Sequence, residues 1–247
     1  MKLYHGTLEE NVESINRNGI TLNRSKSQRP DKSFTDVFNH VFNEKSGLYL
    51  PANMQNLSID RNSAIFLSAL PDEFRKSQHL SAYREHQGKK DAQFEVEITG
   101  ELPVFDSEDF SSWTGKFKNI LNTSKIVERY MSLCGNDEIK ERQMFHSLMG
   151  YFMDGKAQRL SQYGLNEEEI NTFCKLRETI LDFASQGVKQ YCDNSLLLSE
   201  FANQFNYMKN YNGSISWFGE HKSKFKRIGE LEILCNYDIA KDRIRLI

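Results

Sequence analysis

Residues 1–20, MKLYHGTLEENVESINRNGI, decide how the chain begins to fold. Leu3 and Tyr4 read as the tail of a short strand, His5-Gly6-Thr7 as a tight exit, and Leu8 to Asn18 as an amphipathic helix closed by Gly19. This places a histidine where a strand hands over to a helix. From there a ring nitrogen can meet a ligand hydroxyl, and the open backbone at Gly6 permits close approach.

Outward from this start, the β signals lie toward the two ends of the chain. Residues 64–83, AIFLSALPDEFRKSQHLSAY, open as a strand. Residues 93–106, QFEVEITGELPVFD, alternate with period two at Phe94, Val96 and Ile98, and residues 230–247, ELEILCNYDIAKDRIRLI, are β-like. Residues 23–62 read as a long polar passage rich in Ser, Asn, Lys and Asp. Between residues 107 and 214 apolar residues recur at three- and four-residue spacing in FKNILNTSKIVERYMSLC, EIKERQMFHSLMGYFMDGKAQRLSQYG, NEEEINTFCKLRETILDFASQGVKQYC and SLLLSEFANQFNYMKN. Helices are expected there, punctuated by Gly135, Gly164 and Gly187. Asn166 followed by Glu167, Glu168 and Glu169 reads as a helix start, with acidic side chains opposing the positive end of the dipole. The expected organisation is α+β: residues 1–106 form the first part of a core, 107–214 a helical insertion, and 215–247 the strands that complete the core.

A chain of 247 residues that is 38% hydrophobic buries a substantial core, as one large domain or one domain carrying an insertion. Its net charge of −2 excludes a global cationic field, so a nucleic-acid contact requires a local basic patch. Cys134, Cys174, Cys192 and Cys235 form no CxxC pair and have neither zinc-like nor disulfide-like spacing; reduced thiols of a cytoplasmic protein are the expectation. No run approaches the roughly eighteen apolar residues of a membrane span, and no apolar h-region of a secretion signal is expected at the start. His40, His79, His86 and His146 are scattered without HxxxH or cysteine partners, which gives no support to a catalytic metal. The absence of GxGxxG, GxxxxGK[ST] and GxSxG removes the usual signatures of Rossmann, Walker and α/β-hydrolase sites.

Three segments in order carry a resemblance. YHGTLEENVESINRNGI (residues 4–20) resembles the first motif of the ADP-ribosyltransferase superfamily, most closely the diphtheria-toxin and PARP-like type, in which a Tyr-His-Gly-Thr strand end precedes a helix. Residues 64–83 are similar to its strand with an aromatic and small hydroxyl residues followed by a helix bearing a tyrosine; Phe66, Ser68 and Tyr83 stand in those places. GELEILCNYDI (residues 229–239) is similar to the Glu-x-Glu-aliphatic-aliphatic strand of the catalytic glutamate. The match covers the β-rich ends, about half of the chain, and leaves the helical middle unaccounted for. It implies a split β-sheet with a helical insertion and NAD as the ADP-ribose donor, with His5, Gly6, Thr7, Phe66, Ser68 and Tyr83 around it. Phe66 departs from the family's usual tyrosine, which removes a hydroxyl there but not a stacking face.

The chemistry suits these residue types in its own right. Loss of nicotinamide from NAD develops positive charge on the ribose, and a fixed carboxylate beside the sugar stabilises charge absent from the ground state. Glu232 is the candidate for that carboxylate, and the resemblance implies that it also takes a ribose hydroxyl. Glu230, two residues earlier on a strand, shares its face and is the candidate for meeting the incoming nucleophile. Phe66 and Tyr83 offer π faces to the cationic nicotinamide. In SISWFGEHKSKFKRIG (residues 214–229), Trp217 is interleaved with Lys222, Lys224, Lys226 and Arg227, a pattern in which bases stack while cations hold phosphates. The corresponding loop of the family meets the acceptor.

The expected function is thus mono-ADP-ribosyl transfer from NAD to a macromolecule, RNA or DNA slightly favoured over protein. A cytoplasmic toxin of the phage-defence or toxin–antitoxin kind, with a neutralising antitoxin as partner and no metal, is the setting this implies. The alternatives are a catalytically silent module that binds NAD, ADP-ribose or nucleic acid, and an RNA 2′-phosphotransferase. The latter relies on basic residues around a phosphate rather than on a Glu-x-Glu strand.

Overall fold

The computed structural model describes residues 2–22, 33–57, 59–69, 91–209 and 231–247. The chain is mixed α/β with two antiparallel sheets. It divides into two units: Met1–Lys26, Leu50–Glu108 and Tyr191–Ile247 form a sheet unit, and Ser27–Tyr49 with Asp109–Gln190 a helical unit.

In the sheet unit, β1 (Lys2–Leu8) pairs along its whole length with β3 (Asp91–Glu97), from Lys2↔Glu97 to Leu8↔Asp91. The ladder keeps His5, Gly6 and Thr7 inside the strand, where a tight exit is expected from the sequence. The helix correspondingly starts later: a 3-10 turn at Glu9–Asn11 precedes α1 (Val12–Asn18). Gly19 ends α1 with φ 82° and ψ −174°, a conformation open essentially to glycine alone, and an added Cβ would stand 2.2 Å from the Ile239 carbonyl. That close approach permits the Ile20↔Ile239 bridge, with hydrogen bonds of 2.9 and 2.8 Å.

The C-terminal β run is two strands in different sheets. β7 (Ile244–Leu246) adds to the other edge of β3, giving the order β1-β3-β7. β6 (Leu231–Cys235) lies between β2 (Ile65–Leu67) and β4 (Pro103–Asp106), and β5 (Leu196–Leu197) pairs with β4, giving β2-β6-β4-β5. Tyr4 and Ser68 join the two sheets through a single bridge with two 2.9 Å hydrogen bonds. The alternation read in QFEVEI has its cause here: Phe94 and Val96 are fully buried in a cluster with Leu3, Leu67, Val104 and Ile233. Burial of each such side chain contributes roughly 1.5–3 kcal/mol.

The helical unit contains α2 (Phe34–Tyr49), α3 (Ser107–Asn122), α4 (Lys125–Ser132), α5 (Glu138–Asp154), the short α6 (Gln158–Ser161) and most of α7 (Glu167–Asp193). α2 falls in the passage read as polar loop. Phe34, Val37, Phe38, Val41 and Phe42 recur at helical spacing, and Val37, Phe38, Val41 and Phe42 are buried. The helical segment expected over 107–214 is also corrected at its end. The helical unit stops at Gln190, and Leu196–Leu197 is a strand because its backbone completes the free edge of β4, with α8 (Leu198–Lys209) following it in the sheet unit.

Helix ends here follow the sequence closely. Glu169 N–H donates to Asn166 Oδ1 and Asn166 N–H to Glu169 Oε2, both at 2.9 Å, a reciprocal cap at the start of α7. Gly155 and Gly164 have positive φ, as does Gly135. Gly187, in contrast, is no terminator: it lies within α7, and a Cβ there would stand 2.8 Å from Cγ and Cδ2 of Trp113. The indole occupies the space that a side chain would need. The four cysteines are free thiols, with Cys192 and Cys235 buried. No described helix is long and apolar enough to cross a membrane.

Candidate functional site

Glu232 is the second residue of β6, an inner strand that lies between β2 and β4. Leu231, Ile233 and Cys235 enter the core cluster, so by alternation Glu232 is directed to the opposite face of the sheet. Its register partner on β4 is Phe105, and on β2 Phe66 pairs with Leu234 on that same face. Glu232 is therefore an inner-strand carboxylate with an aromatic on each neighbouring strand.

Two further residues complete the arrangement. Arg61 Nη2 donates to Glu232 Oε2 at 2.6 Å, and Tyr191 O–H donates to the same oxygen at 2.8 Å. Arg61 rides on a turn just before β2, closed by Asn62 N–H to Asp60 Oδ1 at 3.0 Å and Ala64 N–H to the Asp60 carbonyl at 2.9 Å. Tyr191 comes from the last turn of α7, and its ring stacks on Phe105 at 4.4 Å with 5° between the planes. The Arg61 guanidinium lies 5.2 Å from the Phe66 ring centroid and 5.7 Å from that of Tyr191.

Arg61 is 4% exposed and Tyr191 fully buried, whereas the Glu232 side chain keeps 19% of its surface. Burial, the largest influence on Arg61, works against its charge, but the Glu232 carboxylate and Tyr191 override it and hold the guanidinium above the ordinary arginine range. Burial and then the Glu232 carboxylate push Tyr191 well above the ordinary phenol range, although Arg61 pulls the other way. The phenol is a proton donor at every physiological pH. Among the described residues, both donors converge on Oε2 and none reaches Oε1.

His5 on β1 reaches the same neighbourhood through backbone: its Nδ1 lies 3.2 Å from the Phe66 carbonyl. A carbonyl only accepts, so Nδ1 carries the proton and, in the neutral ring, Nε2 carries the lone pair. Phe66 keeps 41% of its surface exposed, Ser68 is buried at the bridge to Tyr4, and Thr7 accepts a hydrogen bond from Asn11 Nδ2 at 3.1 Å. A chain of contacts thus runs from His5 through Phe66 and Arg61 to Glu232. Gly6 pairs with Gln93 in the β1–β3 ladder. Tyr83, Trp217, Lys222, Lys224, Lys226, Arg227 and Glu230 lie outside the described residues.

Sequence reading missed Arg61 and Tyr191. Arg61 belongs to a polar turn with no pattern of its own, and Tyr191 sits at an apolar-face position of a helix; neither signals a carboxylate 171 and 41 residues away. Among the described residues no group of three or more His, Cys, Asp or Glu is placed to hold a metal ion. The helical unit has its own open groove of about 560 Å³, with Met131 and Phe145 beside Glu138, Glu141 and Arg142. Comparisons of the chain with protein-family models, with curated proteins and with solved structures find no match.

Proposed function

We propose that the chain is an NAD-dependent mono-ADP-ribosyltransferase whose acceptor is a macromolecule, RNA or DNA ahead of protein, and that its two sheets form the split sheet of that fold. The observation that carries this reading is the state of Glu232: a carboxylate on an inner strand, fixed through one oxygen, with the other oxygen unengaged among the described residues and the exposed ring of Phe66 on the same face. The bridge at Tyr4 and Ser68, with His5 at the edge of Phe66, supports a donor site where β1 and β2 meet.

In the proposed reaction the bond between ribose C1′ and the nicotinamide nitrogen breaks, and its electron pair leaves on neutral nicotinamide. A lone pair of the acceptor forms the new bond to C1′, and the acceptor's proton passes to base or solvent. Glu232 Oε1 takes a ribose hydroxyl and opposes the positive charge that develops on the sugar. Phe66 gives a π face to nicotinamide while it is still cationic. A toxin held by an antitoxin remains the biological setting proposed with this activity.

One observation favours a second reading, a silent NAD-binding or nucleic-acid-binding module: Glu232 already has a structural task, balancing the charge of buried Arg61. Incubation with labelled NAD and separate pools of RNA, DNA and protein distinguishes the two. A transferase releases nicotinamide and labels one pool. Glu232→Gln is expected to abolish labelling while NAD affinity stays within about threefold, because the carboxylate acts on the transition state. Binding of NAD without nicotinamide release by the wild type would establish the silent module instead.

A further inference from the structure

We propose that Arg61 and Tyr191 are positioning residues, a two-donor clamp that fixes the Glu232 carboxylate so that Oε1 alone faces the ribose; this rests on the transferase reading above. The strongest geometry open to an arginine–carboxylate pair engages the guanidinium fork with both carboxylate oxygens. Here the second donor to Glu232 is instead a phenol, and it chooses the oxygen that Arg61 already holds. Two donors on one oxygen restrict rotation of the carboxylate about its terminal torsion, which is otherwise broad and twofold.

The clamp is itself held in place. Tyr191 is fully buried and stacked on Phe105, the register partner of Glu232. Arg61 is 4% exposed and lies against the rings of Phe66 and Tyr191. Neither donor has the exposure needed to touch a ligand. Their effect on a substrate must pass through Glu232, the least buried of the three. A carboxylate fixed before substrate arrives needs no reorganisation as charge develops on the sugar.

Tyr191→Phe tests this, because it removes the donor and keeps the ring that stacks on Phe105. The measurements are nicotinamide release from NAD, NAD affinity by calorimetry and thermal midpoint. Loss of a hydrogen bond to a charged group is expected to lower kcat by about tenfold or more while KM and NAD affinity stay within about twofold. Tyr191→Phe introduced into Glu232→Gln is expected to cause no further fall in residual NAD hydrolysis, as for residues acting through one another. Arg61→Lys, which retains the charge but not the planar fork, serves as a second variant, with its loss again expected in kcat alone. The proposal is overturned if Tyr191→Phe leaves kcat unchanged, if the loss falls on KM, or if it adds in full to that of Glu232→Gln. A wild type that neither binds NAD nor releases nicotinamide would overturn the transferase reading and the clamp with it; an active wild type with unaffected clamp variants overturns the clamp alone.

Discussion

The two units use charge in different ways. In the helical unit several polar contacts serve helix ends: Asp137 accepts from the N–H groups of Ile139 and Lys140, Asn166 and Glu169 cap each other, and Arg177 donates to the carbonyls of Tyr151, Phe152 and Met153. Each answers backbone groups that a helix terminus leaves without partners. Its buried tyrosines find partners too: Tyr130 O–H donates to the Met144 carbonyl at 3.1 Å and Tyr151 O–H to Cys174 Sγ at 3.3 Å. In the sheet unit, Arg61, Tyr191 and Glu232 meet on an inner strand, where Glu232 is in register with Phe105 of β4. No helix end calls for them there. A charge cluster without a backbone task is the better candidate for function.

The largest expected effect tests whether the sheet unit needs its cluster at all. Glu232→Leu removes the carboxylate that faces the buried guanidinium of Arg61 at 2.6 Å, and loss of one partner of a buried pair costs about 3–5 kcal/mol. Replacing the whole cluster, as Arg61→Met/Tyr191→Phe/Glu232→Leu, removes both charges and the phenol hydroxyl together and is expected to restore stability to within about 1 kcal/mol of wild type. NAD turnover should remain absent in both variants. Urea unfolding compared with nicotinamide release measures the two outcomes separately. A triple variant as unstable as Glu232→Leu would mean that the cluster holds the sheet together, and the contrast between the units would disappear.

In the helical unit the comparable weakness is steric. Gly187→Ala gains about 1 kcal/mol of helix propensity, but the new methyl meets the Trp113 ring, which is held by Phe183 at 4.6 Å and by its N–H to Gln190 Oε1 at 3.1 Å. Overpacking of this kind costs about 1–3 kcal/mol, so a net loss of about 1 kcal/mol is expected, seen as a lower thermal midpoint with no change in NAD affinity. A rise in the midpoint would show that the indole yields freely.

These elements also mark how far the sequence could be read. The Asn166 cap and the alternation at Phe94 and Val96 were legible because local residue order alone determines them. α2 escaped notice because Ser, Asn and Lys on both sides dilute a sound apolar stripe from Phe34 to Phe42. Gly187 looks like a stop in sequence and is a packing contact in space. The clamp was illegible for a related reason: Arg61, Tyr191 and Glu232 are united only by β2–β6 and β4–β6 pairing and by the last turn of α7. Of the candidate site, Glu232, His5 and Phe66 could be named from motifs; the donors that fix the carboxylate could not.

The smallest expected effect is a pH dependence in the helical unit. Arg159 donates to Asp154 through Nε at 2.9 and 3.1 Å and through Nη2 at 2.7 Å, and crosses α5 where Gly150 leaves room for it. Burial alone would raise the Asp154 carboxyl, but the bonds from Arg159 and from the Lys156 N–H outweigh it and hold the group below its usual 3.8. A carboxyl depressed in the folded state contributes stability above its unfolded value, and that contribution is lost as pH falls through the folded value. The window therefore lies on the acid side of 3.8. The side chains of Arg159 and Asp154 are 34% and 29% exposed, so solvent screens the pair and its contribution is at most about 1 kcal/mol. Asp154→Asn should lower stability to urea near neutrality by that amount, and the gap to wild type should narrow as the solution is acidified to a pH well below 3.8, as wild-type Asp154 takes up its proton as well. A gap that stayed constant down to that pH would mean that the pair acts through packing of Arg159 over Gly150, not through its charge.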